Sequence, residues 1–228
     1  MKILNLVIYN DDEYYNNMYI ILSNYYKKFD NVKTYFYKIN NSIKNEIEIE
    51  DDIFNIRDGK ESIIPGILDK TIIILKYFEN EIKNYDYIIR TNISSIINFE
   101  LLTNELKITP IKYYDSTYII KYNVFFASGT NIIMSNNGCK LLLDNLHIIK
   151  MINTKLNDDL IIGIIFKNIN IITDDIFNNK NKFVFVQPNL NDNDIDLLIK
   201  KKYIVYRNRN DMDRNIDIIQ MKKIIDKL

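Results

Sequence analysis

The sequence predicts an α/β fold, with a mostly parallel central sheet and helices on both faces. Two observations carry the prediction. Apolar runs of strand length (ILNLVIY at 3–9, VKTYFYKI at 32–39, YDYIIRT at 85–91) alternate with longer stretches of helical period. Two of these runs lead into polar clusters, Asn10-Asp11-Asp12 and Arg90-Thr91-Asn92. Ligands of such sheets bind beyond the carboxyl ends of the strands, so a cleft is expected there.

The elements follow in order. Residues 3–9 form a buried strand, 14–29 a helix and 32–39 a second strand. The polar and acidic stretch 40–62 reads mainly as loop. Pro65, tolerated in a first turn, opens a helix that runs to about Asn80. A strand over 85–91 and a short helix over 98–107 come next. Strands at 117–127 and 130–135 flank Ser128-Gly129, and helices follow at 137–150 and 158–168. Strand 183–187, helix 191–201 and strand 203–206 lead to a last helix over 213–227. That helix is expected to set Met221, Ile224, Ile225 and Leu228 on one face. The 228 residues suit one domain with a sizeable core, without internal repeat or clear linker.

Composition narrows the function classes. Thirty basic residues balance thirty acidic ones, which argues against a nucleic-acid partner or an anionic membrane. Cys139 is the single cysteine, so no intrachain disulfide forms. The apolar start ends by Asn10, too short for a signal segment, and no later run suits a membrane span. The expectation is a soluble protein of the cytoplasm. Abundant Ile, Asn, Lys and Tyr beside five glycines and a single alanine point to an AT-rich genome, a viral one included. Under that pressure the surviving glycines and arginines mark positions where geometry or chemistry requires them.

Four segments can carry chemistry. In Leu156-Asn157-Asp158-Asp159-Leu160-Ile161-Ile162-Gly163, the carboxylates precede an apolar helical turn. Asp158 or Asp159 can cap that helix, or one can act as a general base toward a hydroxyl. In Phe126-Ala127-Ser128-Gly129-Thr130, small residues break two apolar strands, which suits either a tight bend or close approach by another group. Strand 85–91 brings Arg90, Thr91 and Asn92 to the sheet edge, where an arginine can grip a diphosphate or simply lie on the surface. The segment 61–71 carries Lys70-Thr71 into the helix before that strand. Asn10 stands at the first strand end, and Arg57, beside Asp58-Gly59, is a further candidate for nucleotide contact. His147 and Cys139 lie in an apolar helical segment and read as structural, and no Cys/His metal set can be assembled.

In order and context these segments resemble the beta-3-glycosyltransferase and Fringe family of GT-A enzymes, over roughly residues 56–170. The matching residues are Lys70-Thr71, Arg90-Thr91-Asn92, Ser128-Gly129 with Ser135, and Asp158-Asp159 with Gly163. The resemblance implies a GT-A-like nucleotide-sugar-binding fold, with a donor-binding part over about 1–110 and an acceptor and catalytic part over about 111–228. It implies a hexosyltransferase that moves sugar from a UDP-sugar to a glycan or glycoconjugate acceptor, inverting, with Asp159 as base. Asn10, Arg57, Lys70, Arg90, Thr91, Asn92, Ser128 and Gly129 are then the donor-side candidates. By analogy with GT-A enzymes that close a basic C-terminal segment over the diphosphate, Arg207 and Arg209 in the run Tyr206–Asp211 join them. The family's acidic triplet, which binds Mn or Mg, is replaced here by Arg90-Thr91-Asn92, so no metal ligands are assigned. Two rival readings are a nucleotide-sugar or glycan-binding module of the same fold without turnover, and a structural or interaction protein.

Overall fold

A computed structural model describes residues 1–121, 124–152, 155–173, 182–210 and 212–228, with backbone alone for 118–121. Residues 122–123 of the expected strand 117–127, and Asp211 of the basic run, lie outside the described residues.

The chain opens with β1 (Ile3–Ile8), whose side chains alternate between two sides of the sheet. Ile3 and Val7 enter one core, while Leu4, Leu6 and Ile8 enter another. Helix α1 (Glu13–Tyr26) starts where Asp12 accepts the Tyr14 N–H (2.9 Å), a cap typically worth about 1 kcal/mol. Then come β2 (Val32–Ile39), β3 (Ile47–Glu50), β4 (Ile53–Ile56) and α2 (Gly66–Tyr77). β5 (Tyr87–Asn92) is followed after two residues by the short β6 (Ser95–Ile97), then by α3 (Phe99–Ile108). The middle of the chain forms β7 (Tyr114–Asp115), β8 (Tyr118–Lys121), β9 (Val124–Ala127) and β10 (Asn131–Ser135). Helices α4 (Asn136–Asp144) and α5 (Asp158–Asn168) follow, and β11 (Phe183–Val186), α6 (Asp192–Lys200), β12 (Val205–Asn208) and α7 (Arg214–Ile225) complete the order.

The main sheet has seven strands in the order β3-β4-β2-β1-β5-β10-β7. Neighbours β4, β2, β1 and β5 are parallel, whereas β3 and β10 run against their partners. Since β7 opposes β10, five of the seven strands point one way. One core contains residues of α1, α3, α6 and α7, and the other residues of α2, α4 and α5, so helices cover both faces. A second sheet, β11-β12-β6, joins the C-terminal part to the residues just after β5. This connection sets the position of the site.

Several expectations need correction. The stretch 40–62 contains the hairpin β3–β4, with Asp51 in the left-handed region (φ 55°) at its turn. Its apolar residues, Phe54 and Ile56 above all, are buried despite their acidic neighbours. The expected strand 117–127 is instead the hairpin β8–β9, apart from the main sheet. The helix expected over 137–150 breaks after Asp144 into a 3-10 turn, Leu146–Met151. The strand expected at 203–206 extends as β12 to Asn208 because it pairs with both β11 and β6, which takes Arg207 from loop to buried strand. On α7 the buried apolar residues are Ile218, Met221 and Ile224, while Leu228 lies beyond the helix and is exposed.

Candidate functional site

A cleft of about 1010 Å³ opens beyond the carboxyl ends of β1 and β5. Asn10, Lys70, Arg90, Asn92, Ser128, Gly129, Asp158, Asp159, Arg207 and Arg209 all line it. These come from six separate stretches of chain, brought together by the parallel sheet, α5 and the small second sheet.

At the centre stands a linked set of bonds. The Arg90 side chain, 2% exposed, donates from Nη2 to Asp158 Oδ2 and from Nη1 to the Gly129 carbonyl, with a longer contact to Asn92 Oδ1 (3.4 Å). Gly129 in turn donates its N–H to Asp159 Oδ2 (2.9 Å), and Asp159 Oδ1 accepts the Leu160 N–H (2.8 Å). A Cβ on Gly129 would come 2.9 Å from Arg90 Nη1 and 3.2 Å from Asp159 Oδ2, so this close approach uses the missing side chain. Gly163 has a matching reason. A Cβ there would meet Phe126 Cβ at 2.2 Å, so the bare helix face lets α5 pack on β9. Asp159 and Gly163 are four residues apart and share that face, which carries the Asp159 carboxylate to the turn after β9.

The two carboxylates differ in surroundings. Asp158 is buried, and burial pushes its carboxyl above the usual range while the Arg90 guanidinium pulls it back. Asp159 is half-buried and faces the cleft. Neither is the capping residue: that position is Asn157, with both carboxylates in the first turn of α5.

The remaining candidates fall into three groups. Lys70, 1% exposed, donates to the Tyr9 carbonyl (2.8 Å) and to both oxygens of Glu61 (2.9 and 2.7 Å), while Glu61 also accepts the Ile39 N–H (2.8 Å). Burial lowers the Lys70 ammonium and Glu61 offsets this in part. Asn10 accepts the Asp12 N–H (3.0 Å), and the Ser128 hydroxyl accepts the Thr130 N–H (3.3 Å), so both shape the rim. Thr91 is absent from the lining: its side chain is fully buried and donates to the Thr130 carbonyl (2.9 Å). Arg57 is absent from it too, bonded to Asp58 (3.0 Å) and to the Lys44 carbonyl beside β3 and β4. Ser135, matched by the resemblance, caps α4 by accepting the Gly138 N–H (3.0 Å).

The far wall is basic. Arg207, 8% exposed, donates from Nη1 to the hydroxyls of Ser94 (2.6 Å) and Ser95 (3.2 Å). Arg214, whose scarcity as a residue type was a signal, also lines the cleft; it pairs with Asp217 (2.5 Å) and lies over the Tyr15 ring (5.4 Å). Ser94 and the exposed Phe185 belong to this wall as well, and nothing in their local sequence marks them.

The resemblance implies a divalent ion at positions 90–92. The residues there do not fit one. Arg90 is a cation already paired, the Thr91 hydroxyl is turned to a backbone carbonyl, and Asn92 offers a single neutral amide that contacts Arg90. A hard cation would meet a guanidinium rather than carboxylates. Among the described residues, no helix is long and apolar enough to cross a membrane. Comparison of the sequence with protein-family models gave no match, and neither did comparison with curated proteins.

Proposed function

We propose that this protein is a glycosyltransferase of GT-A-like fold that moves a hexose from a UDP-sugar to a hydroxyl of a glycan or glycoconjugate, with inversion. One observation carries the reading. A single cleft contains a half-buried carboxylate steadied by backbone N–H groups, Asp159, and a buried arginine without a carboxylate partner among the described residues, Arg207. The first suits an acceptor hydroxyl and the second a leaving diphosphate. The family resemblance adds the donor class and the stereochemistry.

In this mechanism the Asp159 carboxylate takes the acceptor proton as the acceptor oxygen bonds to the anomeric carbon. The bond from that carbon to the diphosphate oxygen breaks, and its electron pair leaves with the nucleoside diphosphate. Arg207 offers N–H donors where that negative charge develops. The Gly129 and Leu160 N–H groups keep the carboxylate from swinging away from the cleft.

Release of UDP from a panel of UDP-sugars, measured with Asp159→Asn beside the wild type, tests the proposal. The variant should lose about 10²–10⁴-fold in rate and keep its affinity for UDP. Transfer near the wild-type rate by Asp159→Asn removes the base assignment. A second reading, a binding module without turnover, draws on the fact that both Asp159 oxygens already accept backbone bonds. UDP-sugar binding by the wild type with no UDP released would favour it.

A further inference from the structure

The basic groups of the cleft are not equally matched. Lys70 is neutralised by Glu61, Arg90 by Asp158, and Arg214 by Asp217. Arg207 differs. Its hydrogen bonds go to two neutral hydroxyls, and no ion pair joins it to a carboxylate of the described residues. It sits at the middle of the small sheet, in register with Phe185 on β11 and Ser95 on β6, so both neighbours hold it from the sides. Burial, then the nearby charges of Arg214, Arg209 and Arg90, push its guanidinium down to about 10. A buried cation beside other cations is costly until an anion joins it. Ser94 and Ser95 fix one nitrogen of the planar fork, which leaves the others for a ligand in the cleft that Arg207 lines.

We propose that Arg207, with Arg214 and Arg209 beside it on the same wall, is a phosphate-binding centre that takes the diphosphate of a nucleoside diphosphate directly, without a divalent cation. The proposal rests on the reading above for the identity of its ligand. Its physical basis is charge. The residues at 90–92 do not fit a metal ion, and an ion carried in on the diphosphate would be set against a buried guanidinium and its neighbours. A guanidinium fork meets phosphate oxygens with two parallel N–H bonds and supplies the positive charge that an ion would otherwise bring.

Calorimetric titration of the full chain tests this, using UDP, inorganic pyrophosphate and uridine, each in excess EDTA and again in excess manganese. UDP and pyrophosphate should bind in EDTA within about threefold of their affinity in manganese, uridine should bind far more weakly, and added salt should weaken the two anions. Arg207→Gln should lower UDP affinity in EDTA by about tenfold or more, with Arg207→Lys between that variant and the wild type. Arg207 is buried, so the exposed Arg209→Gln is the guard against a folding defect: it should weaken UDP with an unchanged melting temperature. UDP binding that appears only with manganese overturns the metal-free centre and leaves the nucleotide-sugar reading intact. Pyrophosphate binding in EDTA without any gain from the nucleoside keeps the anion centre and removes the nucleotide. Binding of neither anion in either buffer overturns both.

Discussion

Removing the Asp158 carboxylate would strand the Arg90 guanidinium in the interior, since the two side chains are 9% and 2% exposed. Breaking a buried pair by deleting one partner typically costs about 3–5 kcal/mol, whereas replacing both by apolar groups is often neutral. Asp158→Asn should therefore lower stability by that amount in urea unfolding, and Arg90→Met with Asp158→Leu should recover most of it. Asp159→Asn loses no ion pair but can keep only one of the two backbone bonds, so it should cost about 1–3 kcal/mol, less than Asp158→Asn. Equal stability of Asp158→Asn and the wild type would show that the pair is not holding the turn. At this scale the residues alone marked the Asp158-Asp159 pair and only the family resemblance singled out Asp159, which the structure places in the cleft. Arg90 was legible as a cleft residue, and the structure adds its partners. Its partner is 68 residues away, and no local pattern indicates that the guanidinium is taken up by Asp158 and the Gly129 carbonyl.

Packing of α5 on β9 sets how Asp159 enters the cleft, and Gly163 is the contact that permits it. Gly163→Ala places a methyl carbon at 2.2 Å from Phe126 Cβ, and neither side can yield without moving backbone. Overpacking of this kind typically costs about 1–3 kcal/mol. Phe126→Ala alone should cost about 3–5 kcal/mol because the ring is buried. The double variant should cost less than the sum, by about 1 kcal/mol or more in a double-mutant cycle. Strict additivity would mean that the helix and strand are not in mutual contact there. Elements with an apolar run of strand length, β1 and β5 above all, were legible because each strand feeds both cores. The β3–β4 hairpin was hidden by acidic residues on its exposed sides, and β12 extended further than its local pattern because pairing with β11 and β6 overrides it.

The two cores lie on opposite faces of one sheet, so neither helical layer can leave without exposing strands that the other layer also covers. Cys139 reports on this coupling. It sits on α4 with 0% exposure, within the core that also holds β1, β2 and α5, and burial pushes its thiol up to about 12. A buried thiol of that kind stays protonated and unreactive, and no reagent reaches the sulfur in the folded state. Labelling by a disulfide reagent should then wait for the opening that unfolds the whole domain, with an equilibrium cost of about 5–15 kcal/mol. The expected outcome is slow labelling in native buffer that accelerates with urea along the same slope as global unfolding. Fast labelling without denaturant would mean that α4 opens on its own. If opening is global, any ligand of the distant cleft must slow the reaction, because a ligand that binds only the native state lowers the unfolded population in proportion to its occupancy. UDP in EDTA should protect Cys139 in the wild type and protect it less in Arg207→Gln. Protection by UDP that is equal in both proteins would detach the nucleotide from the arginine wall, since the labelled sulfur touches neither.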